Sequence, residues 1–372
     1  MAFRYMRWLL VAGLLVGSTC HAMVVDSELH SFKVEIVAGG LNQPWAMQFL
    51  PDGGYLVTER PGNLVRIDAN GKMNDVSGLP DVDARGQGGL HDVLLHPDYS
   101  SNQRLFMCHA TEDFGGHNTE VSTAVLAGDR LNQTRVIFKA QPKSSGGRHF
   151  GCRLVIDDDG YVYVSIGDRG DRRNPQNPQT HAGSIIRITQ DGNAPDNNPW
   201  VGKTGYLPEL YTMGNRNPQG MTRRPGTDQI WSHEHGPQGG DELNLIRSGI
   251  NYGWPVITYG ANYGSGTAIG EGTHKPGMEQ PVYYWVPSIA PSGMAFYQGN
   301  AFPKWQNNLF VGSLKFGLLV RLEINGDEVV REERMLEGAL GRIRDVRIGP
   351  DGYVYLLTDS SRGQLVRLVP TQ

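Results

Sequence analysis

One strand–turn–strand unit recurs along the chain, and that recurrence limits the possible folds more than any other feature. In each copy an apolar run leads into Pro-Asp-Gly, Asp-Gly or another turn, and a second alternating run follows. The first runs are residues 45–50, 92–95, 153–156, 221–224, 294–297 and 343–348. The returning runs are 55–57, 105–107, 161–164, 229–231, 309–311 and 353–357. The six hairpins lie roughly 45 to 75 residues apart with no long amphipathic helix between them, a spacing that suits four-stranded propeller blades with variable loops. The chain is therefore read as all-β, a six-bladed β-propeller, in preference to a pair of β-sandwiches. The strand 32–37 is expected to complete the last blade and close the ring, leaving no exposed edge.

Composition supports a packed domain. With 39% hydrophobic and 19% charged residues the chain can bury a large core, and its Gly 49 and Pro 22 suit many turns without implying disorder. A net charge of −4 offers no general attraction to nucleic acid or an anionic membrane, so any bound anion needs a local basic cluster. Residues 1–22 read as a signal peptide: Arg4 and Arg7 precede an apolar run, and small residues lead to Cys20-His21-Ala22. The apolar run is short for a membrane anchor, and Gly17 stands where a lipidation signal at Cys20 requires a bulky aliphatic residue. The expectation is a periplasmic or secreted protein whose residues 23–372 form one catalytic propeller, without membrane insertion.

In a propeller the first strand of each blade lies at the central channel, and the second returns to the face from which the first began. Residues just before first strands and just after second strands therefore meet at one end of the channel. Here they are polar: Gln87, Arg148-His149, Asn215-Arg216-Asn217 and Arg342-Ile343-Arg344 before first strands; Glu59-Arg60, Asp168-Arg169, His235-Gly236-Pro237 and Lys315 after second strands. Such convergence from different repeats is how a ligand site is built on a repeat scaffold.

These positions carry a family resemblance. Gly86-Gln87-Gly88-Gly89-Leu90, His149-Phe150-Gly151-Cys152-Arg153-Leu154 and Gly214-Asn215-Arg216-Asn217-Pro218-Gln219-Gly220 occur in order. They are followed by the run from Glu234-His235-Gly236-Pro237 to Asp241-Glu242, then Asn251-Tyr252-Gly253-Trp254-Pro255 and Arg342-Ile343-Arg344-Asp345-Val346. Together they resemble the soluble sugar dehydrogenases that use pyrroloquinoline quinone (PQQ), most nearly the bacterial periplasmic aldose sugar dehydrogenase branch.

The resemblance implies a six-bladed propeller that oxidises aldoses at C1 to lactones with PQQ and calcium, passing electrons to a soluble acceptor. It makes His149 the general base, oriented by Asp168, and Arg216 the group that polarises the quinone oxygen. Gln87, Asn217 and Tyr263 would contact the cofactor, and Lys315, Arg342 and Arg344 would face its carboxylates. The carbonyls of Gly236 and Pro237 would bind the calcium at the quinone, and Glu242 with the Tyr252 carbonyl a second, structural calcium. One departure matters: glucose-specific members carry an acidic residue just before the base, where this chain has Arg148.

Other readings remain open from sequence. A calcium-dependent propeller lactonase would not need Lys315, Arg342 and Arg344. A non-catalytic binding propeller gives no reason for His149 beside Asp168. His233-Glu234-His235 invites zinc but lacks the helical spacing of the protease motif. The two cysteines beyond the leader, Cys108 and Cys152, read as the end of one second strand and the start of the next first strand. They are either a disulfide between blades or buried core residues.

Overall fold

The computed structural model describes residues 23–371, so the segment read as a signal peptide lies outside it. The six hairpins are the inner halves of six antiparallel sheets. The first blade runs Pro44–Phe49, Tyr55–Glu59, Asn63–Ile67, Met73–Asp75, and the second Leu90–Leu95, Arg104–Asp113, Gly116–Ala127, Arg130–Lys139. The third has three strands, Leu154–Ile156, Val162–Ile166 and Ser184–Ile188. The fourth comprises Pro218–Arg223, Ile230–Glu234, Asp241–Ile246 and Tyr283–Trp285; the fifth, Pro291–Phe296, Leu309–Ser313, Leu319–Asn325 and Glu328–Met335. In the sixth, Ile343–Ile348, Val354–Thr358 and Gly363–Pro370 are joined by Ser31–Leu41, which pairs Phe32 with Pro370, Val34 with Leu368 and Ile36 with Val366. The closing strand is thus longer than expected, and Met23–Asp26 adds a fifth strand outside it.

The turns form for a local reason. In three of them an aspartate side chain accepts a backbone N–H of the turn: Asp52 from Gly54 at 3.0 Å, Asp157 from Tyr161 at 2.8 Å and Asp351 from Tyr353 at 3.1 Å. Apolar residues of alternating strand positions fill the space between neighbouring blades; Trp231, Trp285 and Trp305 are wholly buried there. First strands of successive blades pack around the axis, so the third and sixth blades face each other across the channel.

Cys108 is not at the end of its strand. Arg104–Asp113 continues five residues past it, because the second blade carries a long hairpin that pairs Asp113 with Gly116. Cys108 and Cys152 form a disulfide with Cα atoms 5.5 Å apart, joining the second and third blades. Both cysteines are also fully buried, so the bridge and the core-packing reading describe the same pair.

Sequence reading did not foresee the filling of the channel. Arg153 lies 3.3 Å from Asp92 and 3.2 Å from Asp345, and Arg347 lies 3.3 and 2.9 Å from the same two carboxylates. The Arg153 guanidinium also stacks 4.3 Å from the Trp45 ring. Four charges, three on the first strands of the second and sixth blades and Arg153 just before that of the third, therefore cross-link the blades around the axis, with no net charge among them.

Candidate active site

At one end of the channel all six blades border a cavity of about 800 Å³. Its base is set by an unusual backbone. His149, Gly151 and Cys152 have φ of +54°, +65° and +74°, in the left-handed region that non-glycine residues avoid. The conformation is held from several sides. Gln87 Oε1 accepts the His149 N–H at 2.8 Å, Asn217 Oδ1 accepts the Gly151 N–H at 3.2 Å, and the Cys152 N–H reaches the Ser165 carbonyl at 2.6 Å. The disulfide fixes the following residue. A Cβ on Gly151 would sit 2.7 Å from the Ser165 carbonyl oxygen, so only glycine fits there.

This segment turns His149 into the cavity with Nδ1 2.6 Å from Asp168 Oδ1. Asp168 is fixed in turn: the Gly170 N–H donates to Oδ1 at 2.7 Å, and the Trp254 indole N–H donates to Oδ2 at 2.8 Å. Burial lowers the pKa of His149, with Asp168 opposing the shift. Burial alone would raise the Asp168 carboxyl, but the hydrogen bond and charge of His149, followed by Arg216, hold it below the usual range. The result is a neutral imidazole whose Nδ1–H is directed at an ionised carboxylate, leaving Nε2 free to accept a proton.

Arg216 is buried beside this pair. Its Nη1 donates to the His235 carbonyl at 2.8 Å, its backbone N–H donates to Glu234 at 2.5 Å, and its guanidinium lies 5.3 Å from the Trp254 ring. Its Nε has no protein partner. Trp254 therefore touches both the carboxylate behind His149 and the adjacent cation, a role that sequence reasoning missed. Trp254 sits in the Asn251-Tyr252-Gly253-Trp254-Pro255 motif, but its bond to Asp168 spans 86 positions and leaves no local signal.

Of the expected site residues, His149, Asp168, Arg216, Gln87, Asn217, Tyr263, Arg342, Arg344, Gly236 and Pro237 border the one cavity. Gln87 and Asn217 use their amide oxygens to hold the His149–Gly151 segment, as above. Tyr263 stands at the rim, 69% exposed. Arg342 and Arg344 converge on an unforeseen partner, Asp359, at 2.8 and 3.0 Å, so the cluster carries one net positive charge rather than two. Lys315 is not brought in: its side chain is exposed, with its ammonium 5.0 Å from the Phe316 ring, and Leu314 borders the cavity instead.

Glu242 and Tyr252 also lie outside the cavity lining. Glu242 is paired across neighbouring strands with Glu234, and both are buried. Burial, with the nearby Asp241 charge, pushes Glu242 up to about 8; burial and the Glu242 charge raise Glu234 well above the carboxylate range. Two buried carboxylates facing each other suit a hard divalent cation. The Gly236–Pro237 turn is organised by Asp241, whose Oδ1 accepts the Gly236 N–H at 2.8 Å while Oδ2 accepts the N–H groups of Ile289 and Ala290. Among the described residues, His233, Glu234 and His235 do not converge as a three-ligand metal group. His235 Nε2 instead meets the Pro291 carbonyl at 2.6 Å.

The glucose/sorbosone dehydrogenase profile matches residues 41–367. The chain belongs to the glucose/sorbosone dehydrogenase family. Among its relatives in this family is the aldose sugar dehydrogenase YliI of Escherichia coli K12, 42% identical over 96% of this chain and 98% of that protein. The apo crystal structure of the soluble aldose sugar dehydrogenase of E. coli superposes with a TM-score of 0.88 at 42% identity, covering 91% of this chain and all of that one. The PQQ-bound aldose sugar dehydrogenase of Streptomyces coelicolor superposes with a TM-score of 0.73 at 27% identity, over 91% and 98% of the two chains. The family shares the propeller ring, and the segments that build the His149 cavity fall within the matched region.

Proposed function

We propose that this family member oxidises aldose sugars at C1 to lactones, with PQQ accepting hydride and calcium at the cofactor. The observation that carries this reading is the His149–Asp168 pair beside Arg216, inside a cavity with a separate basic cluster. Nε2 of His149 takes the C1 hydroxyl proton as the C1 hydrogen leaves as hydride, and Asp168 stabilises the resulting imidazolium. PQQ, when bound, supplies the two-electron acceptor. Arg216 contributes a fixed positive charge where negative charge develops, in a site where burial strengthens it.

The donor set fits the cofactor. Arg216 Nε and Arg344 Nε are buried without protein partners, and the Arg342–Arg344–Asp359 group retains positive charge for an anion. Carbonyls of Gly236 and Pro237 would hold one calcium at the cavity wall, and Glu242 with Tyr252 would belong to a second. The Cys108–Cys152 bridge accords with export to an oxidising compartment, the reading given to residues 1–22. Among the described residues no helix is long and apolar enough to cross a membrane. The test is reconstitution of purified protein with PQQ and calcium, followed by dye reduction with a panel of aldoses. Sugar-dependent reduction requiring both additions is expected; lactone hydrolysis without sugar oxidation would overturn the reading.

A further inference from the structure

A second cleft opens beside the main cavity. It is bordered by residues 142–148 and by the segment after Asp168, and it shares Arg148, Gly170 and Arg172 with the main cavity. The cationic groups around it differ in what they face. Lys143 pairs with Asp113, and Arg173 pairs with Asp171. Arg169 is buried against the Phe150 ring and donates to the Gly146 carbonyl. Arg148 and Arg172 alone combine exposure with the absence, among the described residues, of any carboxylate oxygen within 4.0 Å.

Both are nevertheless placed by the fold. The Arg148 side chain lies against Gly170: a Cβ at residue 170 would come 2.2 Å from its Nε, and its Nη2 lies 3.5 Å from the Gly170 carbonyl oxygen. Arg172 Nη2 donates to Asn262 Oδ1 at 2.8 Å and lies 5.5 Å from the Trp254 ring. Asn262 is itself held through its amide NH₂ by Thr267 and Ala268. Two guanidinium groups free to form forked hydrogen bonds thus stand on the lip between the clefts, in a protein of net charge −4. They belong to the third-blade side of the ring, whereas Arg342 and Arg344 come from the sixth blade opposite, so the two cationic groups serve different walls.

We infer that Arg148 and Arg172 form an anion subsite for the substrate, and that this enzyme selects acidic aldoses, bearing a carboxylate or phosphate remote from C1, over neutral ones. This rests on the oxidation proposed above: Arg148 and Arg172 border the same cavity as His149, so with C1 at His149 an acidic group remote from C1 would be directed toward the lip, and the second cleft leaves space beyond it.

Glycosides blocked at C1 separate binding from turnover. Methyl glucuronide, methyl glucoside 6-phosphate and methyl glucoside are titrated calorimetrically into protein loaded with PQQ and calcium, and into protein without them. At low salt at least one anionic glycoside should bind about ten-fold more tightly than the neutral one, and the advantage should shrink with added salt. The uronide and phosphate arms show which anion is preferred. In the double variant Arg148→Gln, Arg172→Gln the anionic-to-neutral ratio should fall to near one, while the Lys pair should retain part of it. Equal binding of all three glycosides to the wild type, or a preference that survives the Gln pair, overturns the subsite. If no aldose is oxidised, the proposed function fails while the titration still decides whether these arginines bind an acidic sugar.

Discussion

At the level of single residues, the site is an imidazole whose pKa is set first by burial and then, in the opposite sense, by Asp168. Burial depresses His149, so in the folded protein it is already neutral below its ordinary pKa of 6.5. A base works when unprotonated, so the acid limb of the turnover–pH profile should lie below that value. Asp168→Asn removes the interaction that favours the charged imidazole; the limb should move to still lower pH while turnover drops because the tautomer is no longer fixed. Trp254→Phe has the opposite sign. Without the indole N–H the Asp168 carboxylate concentrates its charge on His149, so the limb should move up. Pre-steady-state dye reduction across pH checks both, and limbs that move together in one direction would contradict the assignment. His149→Ala should lower turnover by about 10²–10⁴-fold while leaving PQQ binding measurable by fluorescence quenching.

Among the elements, the segment from His149 to Cys152 and the plug of charges below it connect the site to stability. Gly151→Ala places a Cβ against backbone at a positive φ, so it should disturb both folding and the placement of His149. Replacing Cys108 and Cys152 with alanine frees a cross-link between residues 44 apart; loop-closure entropy sets its worth at about 4 kcal/mol at most. Denaturant unfolding should show a lower midpoint for the alanine pair than for oxidised wild type, and equal midpoints would mean that the bridge does not stabilise the fold. In the channel, Asp345→Ala leaves Arg153 and Arg347 with one carboxylate between them. Removal of one member of such a buried group costs roughly 3–5 kcal/mol, measurable by the same unfolding experiment.

Over the whole molecule, the ring buries histidines that the unfolded chain exposes. Burial depresses His91 to about 3 and His109 to about 4. Between those values and 6.5 the unfolded chain binds more protons, so stability is retained above 6.5 and is lost as pH falls. Each histidine contributes a slope of up to roughly 1.4 kcal/mol per pH unit in that window. Unfolding midpoints should therefore decline below pH 6.5, and less steeply in His109→Gln. If calcium fills the sites proposed at Gly236–Pro237 and Glu242, its chelation should lower the melting temperature and its return should restore it, since a ligand bound only by the folded state stabilises by mass action. Restoration by zinc but not by calcium would contradict the oxygen-donor assignment.

Hairpin pairing is local and follows a two-residue period, so the six blades, the closing strand and the turn aspartates were legible in sequence. The pairing of His149 with Asp168 was legible for the same reason: one precedes the first strand and the other follows the second strand of a single blade. Roles such as those of Arg216, Gly236 and Pro237 came from the family resemblance, and the ring brings these residues to the same cavity. Tertiary structure alone decided the partners that cross between blades. The Trp254–Asp168 hydrogen bond, the sharing of Asp359 by two arginines, and the Arg153–Asp92–Arg347–Asp345 plug all depend on how loops and side chains meet once the ring closes. Lys315 marks the same boundary: its place in the chain put it at the right end of the channel, but the direction of its side chain depends on packing around Leu314 and Phe316 that no strand pattern encodes.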